Sequence, residues 1–162
     1  MRPITPWFGL ASVLLPLQHR FAAHTMAAPP PNLLPDKRED PICKLPGDPS
    51  LVLHISCQIG DQKKKLVADL SKAVATSLGK PEAYVAVAVH DDVEMSFGGS
   101  TDPCAIGCVY SIGSINKENN GKLQSQASKL LDEFNIPEDR IYINFFDVPR
   151  ENCGWKGKTF AG

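Results

Sequence analysis

The sequence predicts an α/β (α+β) domain: two β-α-β repeats forming a four-stranded mixed sheet with two helices on one face. Three observations carry this expectation. Four short segments are β-rich, two segments between them repeat apolar residues at helical spacing, and a short echo relates the halves. The domain occupies residues 49–162, behind an N-terminal extension of residues 1–48.

Ser50 to Cys57 is rich in β-branched and apolar residues and predicts the first strand. Asp61 is placed to cap a helix on which Leu66, Leu70, Ala73, Val74, Ser77 and Leu78 share a face. Gly79 supplies a left-handed stop and Pro81 forbids continuation. Tyr84 to His90 predicts the second strand, Phe97 to Ser100 a turn, and Ala105 to Ile112 the third strand. Leu123, Ala127, Leu130, Leu131 and Phe134 predict a second amphipathic helix ending near Asn135 and Pro137. Arg140 to Asp147 is the fourth strand, and a glycine-interrupted tail carries Trp155 and Phe160.

The echo pairs Ser71-Lys72 with Ser128-Lys129 and Pro81-Glu82 with Pro137-Glu138, each ahead of an apolar strand. Two such units side by side leave one sheet face bare, expected to carry Leu, Val, Ile and aromatic side chains. Identical copies are the simplest cover, so an oligomer is expected.

Ten of the fourteen prolines lie at or before Pro49, so residues 28–49 are expected to form a flexible connector. The first 35 residues hold Arg2 and Arg20 and no acid, with an apolar run from Trp7 to Leu15 and small residues from Ala22 to Ala28. That pattern favours a secretory signal; an organelle transit peptide and an unprocessed tail, with Met26 as the alternative start, stay open. No stretch reaches the roughly 18 apolar residues that a membrane span needs. The net charge of -1 offers no footprint for nucleic acid or anionic membrane.

Phe97-Gly-Gly-Ser100, Asp102-Pro-Cys-Ala105, Ser111-Ile-Gly113, Arg140 to Asn144 and the ending from Gly154-Trp155 to Thr159-Phe160-Ala161 fall in one order. On these motifs the stretch from Pro49 to Gly162 resembles the macrophage migration inhibitory factor family of the tautomerase superfamily. The resemblance implies a homotrimer whose three sheets enclose a central barrel, with pockets at subunit interfaces. It implies keto–enol tautomerisation of phenylpyruvate-like or dopachrome-like compounds without metal or organic cofactor. It places the family's catalytic proline on Pro49, and its substrate contacts on Lys80, Ile112, Tyr142 and Asn144. Cys153, Trp155 and Phe160 fall in the tail that lines the pocket.

The chemistry fits those residue types. Tautomerisation needs a base near carbon and charge stabilisation near oxygen. A terminal proline amine, desolvated beside a lysine, loses basicity and stands neutral at physiological pH. Lys80 would anchor a carboxylate or enolate oxygen, Asn144 would donate a hydrogen bond, and Ile112 and Phe160 would wall an aromatic ring. On residues alone, Pro49 could merely start a strand, Lys80 complement a helix dipole, and Ile112, Tyr142 and Phe160 pack as core.

Two departures stand out. In the intact chain the Pro49 nitrogen is an amide to Asp48 and cannot act as a base. Tautomerase activity therefore requires a cut between Asp48 and Pro49, a bond with no obvious protease signature. Without it, a secreted cytokine-like trimer that binds a cell-surface receptor is the alternative. Cys104 and Cys108 are separated by three residues, unlike the two of a thioredoxin-like pair. On a strand they would lie roughly 13 Å apart, so a disulfide would need a bend or bulge, with Gly107 the candidate. Structural thiols are the expectation.

Overall fold

The computed structural model describes residues 48–162. The targeting segment and connector expected in residues 1–49 lie outside the described residues except at Asp48 and Pro49, and Pro49 belongs to the first strand rather than to a connector. Strands β1 (Pro49–Ile55), β2 (Ala86–His90), β3 (Ala105–Ser111) and β4 (Ile141–Asp147) form one sheet in the order β2-β1-β3-β4. β1 runs parallel to β2, β3 parallel to β4, and the central pair β1–β3 is antiparallel. The sheet is mixed, and each outer pair is one β-α-β unit. Helices α1 (Lys63–Leu78) and α2 (Lys117–Asp132) supply the crossovers and pack together over one face.

The repeat shows in the connections as well. Pro81 and Pro137 each precede a short 3-10 turn, Glu82–Tyr84 and Glu138–Arg140, which delivers the chain into β2 and β4. Leu51, Leu53 and Ile55 of β1, Leu66, Leu70 and Val74 of α1, and Leu123, Ala127 and Leu131 of α2 form the core, each nearly inaccessible. Burying a Leu, Val or Ile side chain is worth about 1.5–3 kcal/mol, so this layer holds the sheet against the helices.

Several element ends differ from expectation. Asp61 does not cap α1. It lies in a 3-10 turn over Gly60–Gln62, and Gln62 precedes the helix without a side-chain cap bond. Asp91, beyond β2, holds this corner by accepting from the Ile59 N–H at 3.0 Å and from Lys63 Nζ at 2.5 Å. α2 starts at Lys117, six residues before Leu123, because Asn116 caps it by accepting the Asn119 N–H at 2.9 Å. The cap overrides the poor helix propensity of Asn119, Asn120 and Gly121. Gly79 does adopt the left-handed conformation at φ 63°.

The uncovered face is more polar than expected and carries no leucine. Register sets three rows across it: His90, His54, Ile106, Tyr142; then Ala88, Val52, Cys108, Asn144; then Ala86, Ser50, Tyr110, Phe146. His54 stacks on His90 with centroids 5.0 Å apart, and Tyr110 on Phe146 at 5.1 Å. Cys57, Cys104, Cys108 and Cys153 are free thiols. β3 passes through Gly107 in unbroken register. Among the described residues no helix is long and apolar enough to cross a membrane.

Candidate active site

Pro49 is the first residue of β1, fully buried and on the helix-facing side with Leu51. A residue without an N–H suits the start of a ladder, where it leaves no donor unpaired. Pro49 pairs with Ser111, and Ser111 with Asp147, so β1, β3 and β4 converge at this edge of the sheet. The junction is tied by the Val148 N–H donating to the Ser111 carbonyl at 2.9 Å. The Gly113 N–H donates to Asp147 Oδ1, also at 2.9 Å. The Ser111 hydroxyl is buried and has no hydrogen-bond partner among the described residues.

The Pro49 nitrogen is acylated by Asp48, whose carbonyl oxygen accepts the Ile112 N–H at 3.1 Å. The Ile112 carbonyl in turn accepts from Lys80 Nζ at 3.0 Å. Lys80 is only 5% exposed, unusual for a lysine. The α1 terminus explains its place. The Gly79 N–H and the Lys80 N–H both close on the Ala75 carbonyl, and Pro81 then turns the chain away. The structure brings the candidate residues Pro49, Lys80 and Ile112 together, linked through main-chain atoms at the end of β3.

The C-terminal tail closes this edge. β5 (Gly154–Trp155) and β6 (Lys158–Thr159) form a small hairpin. Trp155 stacks on Phe160 with centroids 5.7 Å apart and a 2° interplanar angle, and Tyr84 meets Trp155 edge-on at 5.6 Å. Arg150 pins the end, Nε and Nη2 donating to the Phe160 carbonyl at 3.0 and 2.7 Å. The Cys153 thiol donates to Asp48 Oδ2 at 3.5 Å, which binds the tail to the segment before β1. Burial pushes the Asp48 carboxyl above its usual value, only partly opposed by hydrogen bonds from Cys153 and Ser50. Burial, then the Asp48 charge and hydrogen bond, push the Cys153 thiol up as well.

Tyr142 and Asn144 are not brought to this edge within the chain. Both are exposed on the bare sheet face, alternating with Ile141 and Ile143, whereas Pro49 lies on the other side. Tyr142 instead packs on Phe97 with centroids 4.6 Å apart and lines a separate cavity of about 270 Å³ with Met95, Phe97, Cys104 and Ile106. Sequence reasoning missed the Asp48 carboxyl, Ser111 and Arg150 as parts of the edge. The Asp-Pro step could have flagged the first and the Ser111-Ile-Gly113 motif the second; nothing in the pattern marks Arg150.

The sequence pattern of the family described as macrophage migration inhibitory factor (MIF) matches residues 50–161. The macrophage migration inhibitory factor of Xenopus tropicalis is 44% identical over 97 residues, covering 59% of this chain and 84% of the relative. That of Meriones unguiculatus is 38% identical over 114 residues, 70% of this chain and 99% of the relative. Among solved structures, the homologue from Prochlorococcus marinus superposes with a TM-score of 0.66 at 34% identity, covering 68% of this chain and 98% of that one. The Trichinella spiralis protein gives 0.63 at 33% identity, with the same shares covered.

Proposed function

The chain belongs to the macrophage migration inhibitory factor family, and from that premise we propose that, once freed at Pro49, it is a keto–enol tautomerase for small aromatic 2-oxo acids and their enols. The observation that supports this reading best is the buried chain of contacts linking Asp48, Ile112 and Lys80 beside Pro49. Loss of Asp48 leaves the Pro49 nitrogen a secondary amine in an apolar, lysine-flanked setting, where the neutral form is favoured. That amine takes a proton from the substrate carbon. The Ile112 N–H, relieved of the Asp48 carbonyl, and the Lys80 ammonium hold the carboxylate or enolate oxygen. Trp155 and Phe160 supply a stacked aromatic wall for the ring of a phenylpyruvate-like or dopachrome-like molecule.

Tyr142 and Asn144 join the site from a neighbouring copy. In a homotrimer with sheets turned inward, the bare face meets another subunit, and those exposed side chains reach a pocket between chains. Proton transfer of this kind asks only for a base and an oxyanion contact. The test compares phenylpyruvate tautomerisation by the full chain and by a chain produced to start at Pro49. The shorter chain should be faster by about 10²–10⁴-fold, and its Pro49→Gly variant should lose that gain. Equal rates for the two lengths would falsify the base assignment.

A second reading holds while Asp48 stays attached: a secreted, cytokine-like trimer that binds a receptor with its pocket silent. The amide at Pro49 and the occupied Ile112 N–H favour it. Tracking a reporter fused to residues 1–48 tests it; retention inside an organelle or the cytosol sinks it.

A further inference from the structure

Before Pro49 can act as a base, the bond joining it to Asp48 must break, and the residues around that bond supply groups for breaking it. Aspartate is the side chain whose carboxyl oxygen reaches its own main-chain carbonyl carbon through a five-membered ring. Proline on the far side makes a tertiary amide, so the departing nitrogen leaves as a basic secondary amine. The Asp48 carbonyl oxygen already accepts the Ile112 N–H at 3.1 Å, a donor placed to hold charge as that carbon becomes tetrahedral. The carboxyl is fixed on the Cys153 thiol, and Cys153 is itself held by the Phe160 N–H donating to its carbonyl at 3.0 Å. Pro49 is buried and locked into the ladder with Ser111, so the leaving side of the bond is rigid.

We propose that Asp48 cleaves its own peptide bond to Pro49, releasing residues 49–162 with a free proline amine. A carboxyl oxygen of neutral Asp48 attacks the Asp48 carbonyl carbon. The new C–O bond forms, the C–N bond to Pro49 breaks, and the carboxyl proton passes to the proline nitrogen, which keeps the electron pair. The leader then ends in a five-membered cyclic anhydride. One water opens it, leaving Asp48 with two carboxyl groups, so the sum is hydrolysis with no oxidant or protease. Cys153 acts as a positioning residue.

Among the described residues, the groups that hydrogen-bond to the carboxyl are the Cys153 thiol of the tail and the Ser50 side chain of β1. Lys80 Nζ donates to the Ile112 carbonyl. Burial keeps the carboxyl neutral to higher pH than in an unfolded chain, so the rate rises as pH falls through that raised value. The benefit of the cut rests on the tautomerase reading above; its chemistry does not.

The experiment follows the purified full chain by intact mass and N-terminal sequencing, with inhibitors of every protease class present, from about pH 4 to pH 7. Two fragments, 1–48 and 49–162, should appear with first-order kinetics independent of protein concentration, faster in acid. Asp48→Ala should slow the cut at least about 100-fold, and Asp48→Glu, which needs a six-membered ring, about 10-fold. The wild-type chain unfolded in urea should cut more slowly than the folded one, a comparison that stands even where a variant misfolds. A folded chain that stays whole for days, cuts as fast in Asp48→Ala, or cuts equally in urea overturns the proposal. A chain produced to start at Pro49 separates the two claims. Activity there without self-cleavage of the full chain removes this inference alone, and clean cleavage to an inactive product removes the tautomerase reading alone.

Discussion

Replacing Gly107 with alanine should destabilise the domain, while the same change at Gly121 should stabilise it. Gly107 sits in the middle of β3, opposite Leu53 of β1 and Ile143 of β4. A Cβ there would lie 2.9 Å from Leu53 Cδ1 and 2.9 Å from the Val52 carbonyl oxygen. Ordinary carbon contacts sit at about 3.5–4.0 Å, so both approaches are too close by more than half an ångström. Leu53 can rotate only within a packed core, where it is 0% exposed. The Val52 oxygen is main chain in a strand with neighbours on both sides, and it cannot retreat without stretching a ladder. Overpacking of this kind costs about 1–3 kcal/mol, and the stiffer unfolded chain returns about 0.4–1 kcal/mol. The net is a loss of up to about 2.6 kcal/mol, centred near about 1.3, a drop of several degrees in Tm. Gly121 lies in α2 with nothing within 4 Å of its Cβ position, so alanine there gains up to about 1 kcal/mol of helix propensity. Urea titration followed by circular dichroism reads both, with midpoints moving in opposite directions at constant slope. Gly107→Ala at or above wild-type stability would show that the close approach is not a constraint.

Other outcomes follow from the same geometry. Lys80→Met in the chain starting at Pro49 should raise KM for a carboxylate-bearing substrate by about 10–100-fold, the worth of one charge-assisted hydrogen bond; steady-state kinetics reads it. Lys63 holds the Asp91 carboxyl below its usual value, through its hydrogen bond first and then that of the Ile59 N–H. A lowered folded value means stability present above about pH 3.9 and lost as pH falls through the folded value. Lys63→Met should flatten that acid limb by under about 1 kcal/mol, since the lysine is 39% exposed; an unchanged limb in acid melts counts against the pair. Cys153 should alkylate slowly in the full chain and several-fold faster once Asp48 is gone, because burial and the Asp48 carboxyl keep its thiol protonated. Identical iodoacetamide rates would remove that contact from the account.

The fold was legible because its periodicities are strong. Leu66, Leu70, Val74 and Leu78 repeat at helical spacing, and β1 alternates buried and half-buried residues along its length. Boundaries failed where a single side chain outweighs propensity, as at Asn116, or where a distant acid ties the corner before a helix, as Asp91 does by holding the Ile59 N–H and the Lys63 side chain. Of the candidate site, Pro49, Lys80 and Ile112 came from the family resemblance alone; the glycine stop of α1 and the end of β3 account for where the structure holds them. Tyr142 and Asn144 show the limit. Strand alternation fixes their face, and that face looks away from Pro49. In the proposed trimer a second chain would unite them with it, and within one chain the sequence marks only an uncovered surface.

In the proposed tautomerase, attachment of Asp48 and activity at Pro49 would compete for the same atoms. Asp48 takes the Pro49 nitrogen by acylation, the Ile112 N–H by hydrogen bonding and the Cys153 thiol by its carboxyl. Cutting one bond returns all three. The ladder from Ser50 onward does not depend on Asp48, because Pro49 has no N–H to give; the loss falls on the buried Ile112 N–H and the Cys153 thiol. In the proposed tautomerase the domain would fold first, with Asp48 holding the Ile112 N–H and the Cys153 thiol, and gain its base afterwards. The ordering follows from the fold itself: the Ile112 donor and the Cys153 thiol reach Asp48 only once β3 and the tail have packed against β1. Any cleavage that relies on those contacts therefore comes after folding, and the proposed base would be released beside Lys80 and Ile112 already in place.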